Sequence, residues 1–384
     1  MTRIAIIGGG IGGLVAGIAL RRAGHDPVIY ERTAAFGEVG AGISLSPNAV
    51  SGLESLGMTD FLAAKANEPL DQFLYHGQNG DQLMAIDRRN CRDTYGAAYY
   101  QMHRADLLAE LERLFGNEGC RFSKQLVGAE ETGGQVKLEF ADGTSTTADF
   151  VIGADGLRSK MRDILFDTPA PVFSGHVAWR ALIPAERLGS EAVARSNINH
   201  IDADQNLVTY PVRGTDLVNM VALTRSDDWA EESWSAKADK ADLATIFSGW
   251  TPYVEKVIAA IPDGELYRWG LFLRTPLDQW KQASIALLGD AAHPMLPYMG
   301  QGASSAIEDG IVLGRCFAAE TDPDRALALY EKSRVKRAAF LQAESNLGGD
   351  RLQVLDPYVL RDNPPANEDA LGIFKYDPVT VPLG

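Results

Sequence analysis

Three glycines and an acid near the start of the chain have the spacing of a phosphate grip. Gly8, Gly10 and Gly13 follow a short apolar run at 4–7, and Gly12 lies inside the same turn. A helix-period run with Leu14, Ile18 and Leu20 comes next. A second apolar stretch at 27–30 then ends in Glu31, 18 residues after Gly13. Each position has a mechanical use. Gly8 permits a tight turn, Gly10 lets backbone approach a pyrophosphate, and Gly13 lets helix and strand pack closely. The helix N-terminus offers free N–H groups and a favourable dipole to an anion. Glu31 can accept hydrogen bonds from a ribose and disfavours a 2′-phosphate by charge repulsion. The order of strand, glycines, helix, strand and acid predicts a dinucleotide site. By itself it does not separate FAD from NAD.

Two later segments bear on that choice. "TTADFVIGADGLRSKMRD" (146–163) reads as a strand that ends at Asp155-Gly156, either a plain turn or a second nucleotide contact. "LLGDAAHPMLPYMGQG" (287–302) is again a strand followed by a glycine-rich loop, with Asp290 and His293 inside it. Gly300, Gln301, Gly302 and Ala303 then open a helix. A second GxGxxG with its own strand and acid does not occur, and neither does CxxC.

The elements that must position these residues fit within 384 residues, enough for two or three domains. Hydrophobic residues make up 46%, an ordinary share for a chain with a packed core. The net charge of −15 argues against nucleic acid as partner, since phosphate binding needs an excess of Lys and Arg. A small anion can still meet a local basic pocket. Cys91, Cys120 and Cys316 show no metal-ligand spacing, so free thiols and no metal are expected. No apolar run reaches the length of a membrane helix, and the first ten residues do not read as a signal peptide. A soluble, cytoplasmic protein without a membrane partner is the expectation.

With the three glycine motifs in this order and separation, the chain resembles the single-component, FAD-dependent aromatic hydroxylases of the para-hydroxybenzoate hydroxylase fold. The salicylate, 3-hydroxybenzoate and 6-hydroxynicotinate hydroxylases share the local strings "GAGISLSPNA" (40–49), "YGAAYYQMHRADL" (95–107), "HVAWRAL" (176–182) and "FKYDPVTVPL" (374–383). The resemblance covers residues 1 to about 345.

It implies an α/β fold: a Rossmann-like FAD-binding domain, an inserted mixed-sheet substrate domain and a C-terminal helix. The expected division gives 1–71, 100–170 and 275–350 to the FAD-binding domain and 72–99 and 171–274 to the substrate domain. A tail covers 351–384. Gly8, Gly10, Gly12 and Gly13 would hold the FAD pyrophosphate, and Glu31, with Arg32 beside it, the adenosine ribose. Arg104 and the backbone near Leu126 would touch FAD from the side, and Ser44 would face it. Asp155 would serve FAD and reduced nicotinamide, and Asp290 the ribityl chain. The loop from Pro297 through Gly300, Gln301 and Gly302 to Ala303 would lie against the isoalloxazine. Helix N–H groups there stabilise the charge of reduced flavin.

The implied activity is ring hydroxylation of a small hydroxylated aromatic or N-heteroaromatic acid through a flavin C4a-hydroperoxide. NADH or NADPH and O2 are cosubstrates, and the chain acts as monomer or homodimer. An FAD oxidase or dehydrogenase without oxygen insertion is the alternative. β-type runs between 171 and 224 would form the roof of the substrate pocket, and 234–261 reads as helices. Tyr210 is the candidate proton relay or substrate contact, and Pro297 a candidate beside the ring. Arg180 either balances a substrate carboxylate or sits in a structural salt bridge. His176, His200 and His293 are further titratable candidates, and for His293 a loop-ordering hydrogen bond is preferred. At Ser44 the 6-hydroxynicotinate hydroxylases carry histidine. Serine cannot act as a base near neutral pH, so the ring stays open between pyridine acids and other hydroxylated acids.

Overall fold

The architecture comes from a computed structural model, which describes residues 2–36, 41–189, 196–227 and 236–384. Gly40, Trp234 and Ser235 of the strings read above lie outside them.

Two large sheets organise the described residues. In the first, the strand order is Lys281–Gln282, Ile285–Leu287, Phe150–Gly153, Arg3–Ile7, Asp26–Tyr30 and Cys120–Arg121. All neighbours are parallel except the first pair. Ile4, Ile6, Val151, Ile152 and Leu287 are buried, as a parallel sheet covered on both faces requires. The register decides where the motifs meet. Ile7 stands opposite Gly153, and Gly153 opposite Leu287. The glycine turn after Ile7, the Asp155-Gly156 turn and the Gly289-Asp290 turn therefore leave one sheet at one carboxyl edge. That edge is where open α/β sheets bind ligands.

The helix Ile11–Arg22 packs on the helix Gly302–Ala319. A Cβ on Gly310 would fall 2.7 Å from the Ala16 nitrogen, so the close crossing needs a glycine there. This contact joins the N-terminal dinucleotide unit to the element that follows the second loop.

The second sheet runs Ala236–Lys237, Tyr267–Leu273, Val172–Pro184, Leu217–Arg225, Gln205–Val212, Ser196–Asp202, Asp71–His76 and Gln82–Asp87. Its pairs are antiparallel except Ser196–Asp202 with Asp71–His76. Alternation along Val172–Pro184 sets its two faces. Val177, Trp179, Ala181 and Ile183 bury against the helices Lys240–Ile246 and Pro252–Ala260. Ala178 packs the other way, with Leu223, Leu271 and Leu296 of the second loop. Arg180 shares that side. The segment read as wholly helical starts instead with the edge strand Ala236–Lys237.

The C-terminal segment is mostly turns with the short helix Tyr358–Asp362. Phe374 is buried against Tyr95 and Tyr99, at ring distances of 5.5 and 5.9 Å. No helix among the described residues is long and apolar enough to cross a membrane.

Candidate active site

The first glycine turn is built by close approach. Gly8 has φ +105°, and a Cβ there would lie 2.3 Å from the Ala154 carbonyl oxygen. A Cβ on Gly13 would lie 2.1 Å from the Gly8 carbonyl oxygen, and one on Gly12 2.6 Å from Leu288 Cδ2. A Cβ on Gly10, in contrast, would meet nothing within 4 Å. Gly8, Gly12 and Gly13 are required by the protein's own packing, whereas Gly10 faces open space. Gly10 also caps the helix Ile11–Arg22, which has no side-chain cap and no acid in its first turn. This uncapped, positively polarised helix N-terminus fits a pyrophosphate.

Glu31 does more than wait for a ribose. Its Oε2 accepts the Gly9 N–H at 2.7 Å, and its Oε1 accepts the Thr33 N–H and hydroxyl, both at 2.9 Å. Arg32 is exposed beside it. Leu126 is buried at the start of its strand, just after Lys124 donates its N–H to the Glu31 carbonyl. The Asp155 carboxylate accepts Ser159 Oγ at 2.5 Å and the Met161 N–H at 3.0 Å. It thus caps the helix Lys160–Leu165 and backs the Gly8 turn, whose absent Cβ would lie 3.0 Å from Asp155 Cα. Burial raises the Asp155 carboxyl, and these hydrogen bonds oppose the rise.

Charge gathers at the Gly289-Asp290 turn. Asp290 is open to solvent, yet protein surrounds it closely enough that desolvation raises its carboxyl, against His293 and Arg104. Burial brings the Arg104 guanidinium down to about 10, with Asp290 opposing and Arg180 adding to the fall. Arg104, Asp290 and Arg180 therefore share one electrostatic neighbourhood, although the chain separates them widely.

Around the ring position, Gly300 takes the left-handed conformation with φ +62°. Its absent Cβ would sit 3.6 Å from Ser44 Cβ, so the strand Gly42–Leu45 and the second loop face each other. Pro297 is exposed toward solvent. Gln301 is buried and donates from Nε2 to Ser46 Oγ at 3.1 Å. It caps the helix Gly302–Ala319 with no side-chain hydrogen bond, and the first turn holds no acid. Those N–H groups, Ala303 among the first-turn residues, are suited to an anionic ring edge.

Tyr210 packs against this layer. A Cβ on Gly42 would lie 2.6 Å from Tyr210 Cε2, and the Gly42 N–H donates to Asn219 Oδ1 at 2.7 Å. Burial raises the Tyr210 phenol, with Tyr99 adding to the rise, so it is a neutral donor and acceptor at ordinary pH. Tyr99 hydrogen-bonds Ser44. The Arg180 guanidinium lies 5.0 Å from the Trp269 ring centroid and 6.0 Å from that of Tyr267, and its Nε has no hydrogen-bond partner. No acid among the described residues pairs with it.

The histidines separate cleanly. His293 Nε2 is 2.6 Å from Asp309 Oδ2 and its ring stacks on Trp280, inside the loop's anchor. His200 is buried between Tyr75 and Tyr253, and burial brings it down to about 4. His176 is buried against Tyr298 with neither ring nitrogen partnered. Sequence reasoning missed Tyr99, Asn197, Asn219 and the ion network of Glu308, Asp309 and Arg334. "AIEDG" displayed the two acids, but a helical arginine in a charged stretch carries no signal of burial.

Known proteins share this geometry. A family model described as an FAD binding domain matches residues 1–345. The chain is 37% identical to a 3-amino-4-hydroxybenzoate 2-monooxygenase of Streptomyces platensis, over 92% of this chain and 89% of that protein. It is 34% identical to a 6-hydroxynicotinate 3-monooxygenase of Pseudomonas fluorescens, over 99% and 96%. Among solved structures, Klebsiella pneumoniae HpxO complexed with FAD and uric acid superimposes with a TM-score of 0.87 at 27% identity, covering 98% and 96%.

Proposed function

The chain belongs to the FAD-binding-domain family and is an FAD-dependent aromatic-ring monooxygenase, and from that premise we propose that it uses NADH or NADPH and O2 to hydroxylate a small hydroxylated aromatic or N-heteroaromatic acid. The observation that carries this reading is the convergence of two residue groups from distant parts of the chain. Arg104 and Asp290 form one, and Ser44, Gly300 and Tyr210 the other.

Bound FAD supplies the two-electron chemistry with reduced nicotinamide and the activation of oxygen. The protein's part is to bind, orient and exclude water. Gly10 and the helix it caps take the pyrophosphate, with Glu31 and Arg32 at the adenosine end. Leu126 and Arg104 flank the cofactor, and Asp155 braces the turn. Asp290 holds the ribityl chain. The loop from Pro297 to Ala303 supports the ring, with Gln301 and Gly302 at its polar edge. In this reading 1–71, 100–170 and 275–350 form the cofactor unit, 72–99 and 171–274 the cover, and 351–384 a closing tail.

The substrate's ring hydroxyl lies against Tyr210, whose neutral phenol donates a hydrogen bond to it or accepts one from it. Ser44, hydrogen-bonded to Tyr99, is a second neutral partner. Arg180, which pairs with no acid among the described residues, faces the carboxylate.

The test is coenzyme oxidation with a panel of hydroxybenzoates and hydroxypyridine acids, with product mass spectrometry. At least one ring acid should accelerate oxidation several-fold and gain one oxygen atom. Coenzyme oxidation that yields only hydrogen peroxide with every ring acid sinks the monooxygenation of this substrate class.

A further inference from the structure

Arg334 lies within the helix Pro323–Asn346 and is fully buried. Its Nε donates to Asp309 Oδ1 at 2.7 Å. Its Nη1 lies 2.7 Å from Glu308 Oε2, an ion pair without hydrogen-bond alignment. The two adjacent carboxylates then serve different loops. Asp309 Oδ2 accepts the Gly289 N–H at 3.0 Å and meets His293 Nε2 at 2.6 Å, so it grips the Asp290 turn on both flanks. Glu308 Oε1 accepts Asn48 Nδ2 at 2.6 Å, and the same nitrogen lies 3.2 Å from Gln301 Oε1. That branch ends at the loop beside Gly300. Arg337 makes the second cation, 3.1 Å from Glu308 Oε1, and donates to the Ile373 carbonyl at 2.9 Å. Tyr376 of the C-terminal segment stacks beneath both guanidiniums, at 5.2 and 4.6 Å.

Two neighbouring carboxylates on one helix repel each other in a buried site unless cations neutralise them. We propose that Arg334 is a positioning residue that ties the Asp290 turn and the Gln301 loop to one rigid spacing, the Asp309 branch setting cofactor retention and the Glu308–Asn48 branch setting the potential of the bound flavin. The inference rests on the reading of those two loops as FAD contacts. Networks of this kind act as a unit, because each member is satisfied only while the others hold their place.

The test compares Asn48→Ala, His293→Gln and Arg334→Lys in the full-length holoprotein. FAD release on dilution is followed by flavin fluorescence, and the flavin midpoint potential by dye equilibration. Asn48→Ala should change the relative affinity for oxidised and reduced flavin about tenfold, a shift of about 30 mV for a two-electron couple, with retention within roughly threefold of wild type. His293→Gln should weaken retention about tenfold and leave the potential in place. Arg334→Lys should do both. If Arg334→Lys does not fold, the two single-branch variants decide. Asp290→Ala tests the reading beneath. If it retains FAD like wild type, the loop assignment falls and the proposal with it. If it loses FAD while the other three variants keep wild-type retention and potential and change only thermal stability, the network is structural and the proposal alone is overturned.

Discussion

Behind the cofactor cleft, charge is matched; in the sheet above it, polar groups stand alone. Glu308 and Asp309 face Arg334 and Arg337 in a fully packed layer. Burial alone would raise both carboxyls, but Arg334 with Arg337 holds Glu308 below its usual range, and His293 with Arg334 brings Asp309 to about 2. Asn48 Oδ1, His293 Nδ1 and Arg334 Nη1 lack a hydrogen-bond partner there, and of these Arg334 Nη1 is ion-paired to Glu308. In the sheet, among the described residues, Arg180 pairs with no acid and Asn197 Oδ1 and Asn219 Nδ2 have no partner. Unpaired buried groups cost free energy, so they persist where something else satisfies them. The contrast teaches that the acids and arginines behind the second loop satisfy one another, whereas polar groups of the second sheet do not.

Breaking the cofactor seat should cost most. A Cβ on Gly13 collides with the Gly8 backbone, which cannot move aside as a side chain can. Gly13→Ala should therefore abolish FAD binding and lower the melting temperature, read by absorbance of the purified protein and by thermal denaturation. Gly10→Ala sharpens the point. It has space in the protein itself, so stability should stay within about 1 kcal/mol while FAD affinity falls at least roughly tenfold. An equal fall in stability for both variants would erase the distinction between packing glycine and ligand-facing glycine.

The roof comes next. Tyr210→Phe keeps the ring against Gly42 and removes only the hydroxyl. Substrate turnover should fall by about one to two orders of magnitude, with FAD retention unchanged. Asn197→Ala removes an orphaned acceptor on the same face of the sheet as Tyr210. KM should rise roughly tenfold with little change in kcat, since one hydrogen bond to a buried acceptor is worth ~1–2 kcal/mol. If either variant loses FAD instead, roof and seat are not separate parts.

The smallest effect in neutral buffer is the pH response of the far side of the roof sheet. Burial brings His200 from 6.5 to about 4. The unfolded chain then binds a proton near pH 6.5 that the folded chain refuses until about pH 4. Stability is whole above pH 6.5 and declines as the pH falls toward 4, by at most ~3 kcal/mol. His103 and His176 are lowered in the same direction by burial. Thermal melts between pH 7 and pH 4.5 should show the decline, and His200→Phe should flatten it. A profile of unchanged slope removes His200 as the cause.

The cofactor half was legible because it is written in local patterns. The glycine turn, Glu31 and the loop at 287–302 each follow a short buried strand, and backbone geometry alone restricts the residues such turns accept. The roof was far less legible. The runs that form strands could be read, yet nothing local says that Asn197 is left unpaired or that Arg180 lacks an acid. His293 makes a hydrogen bond within the second loop's anchor, but its partner Asp309 was not legible, because it lies 16 positions further on, past a helix start.

Turn chemistry and strand periodicity thus determined a dinucleotide-binding α/β fold, because these depend on short-range backbone geometry, while FAD and ring hydroxylation were implied by the family resemblance that the three motifs carry together. The tertiary structure alone decided that Ile7, Gly153 and Leu287 end side by side, that adjacent acids serve two different loops, and that Tyr210 rests on Gly42. Those relations come from sheet register and helix packing. They depend on residues far apart in the chain, so no local pattern carries them.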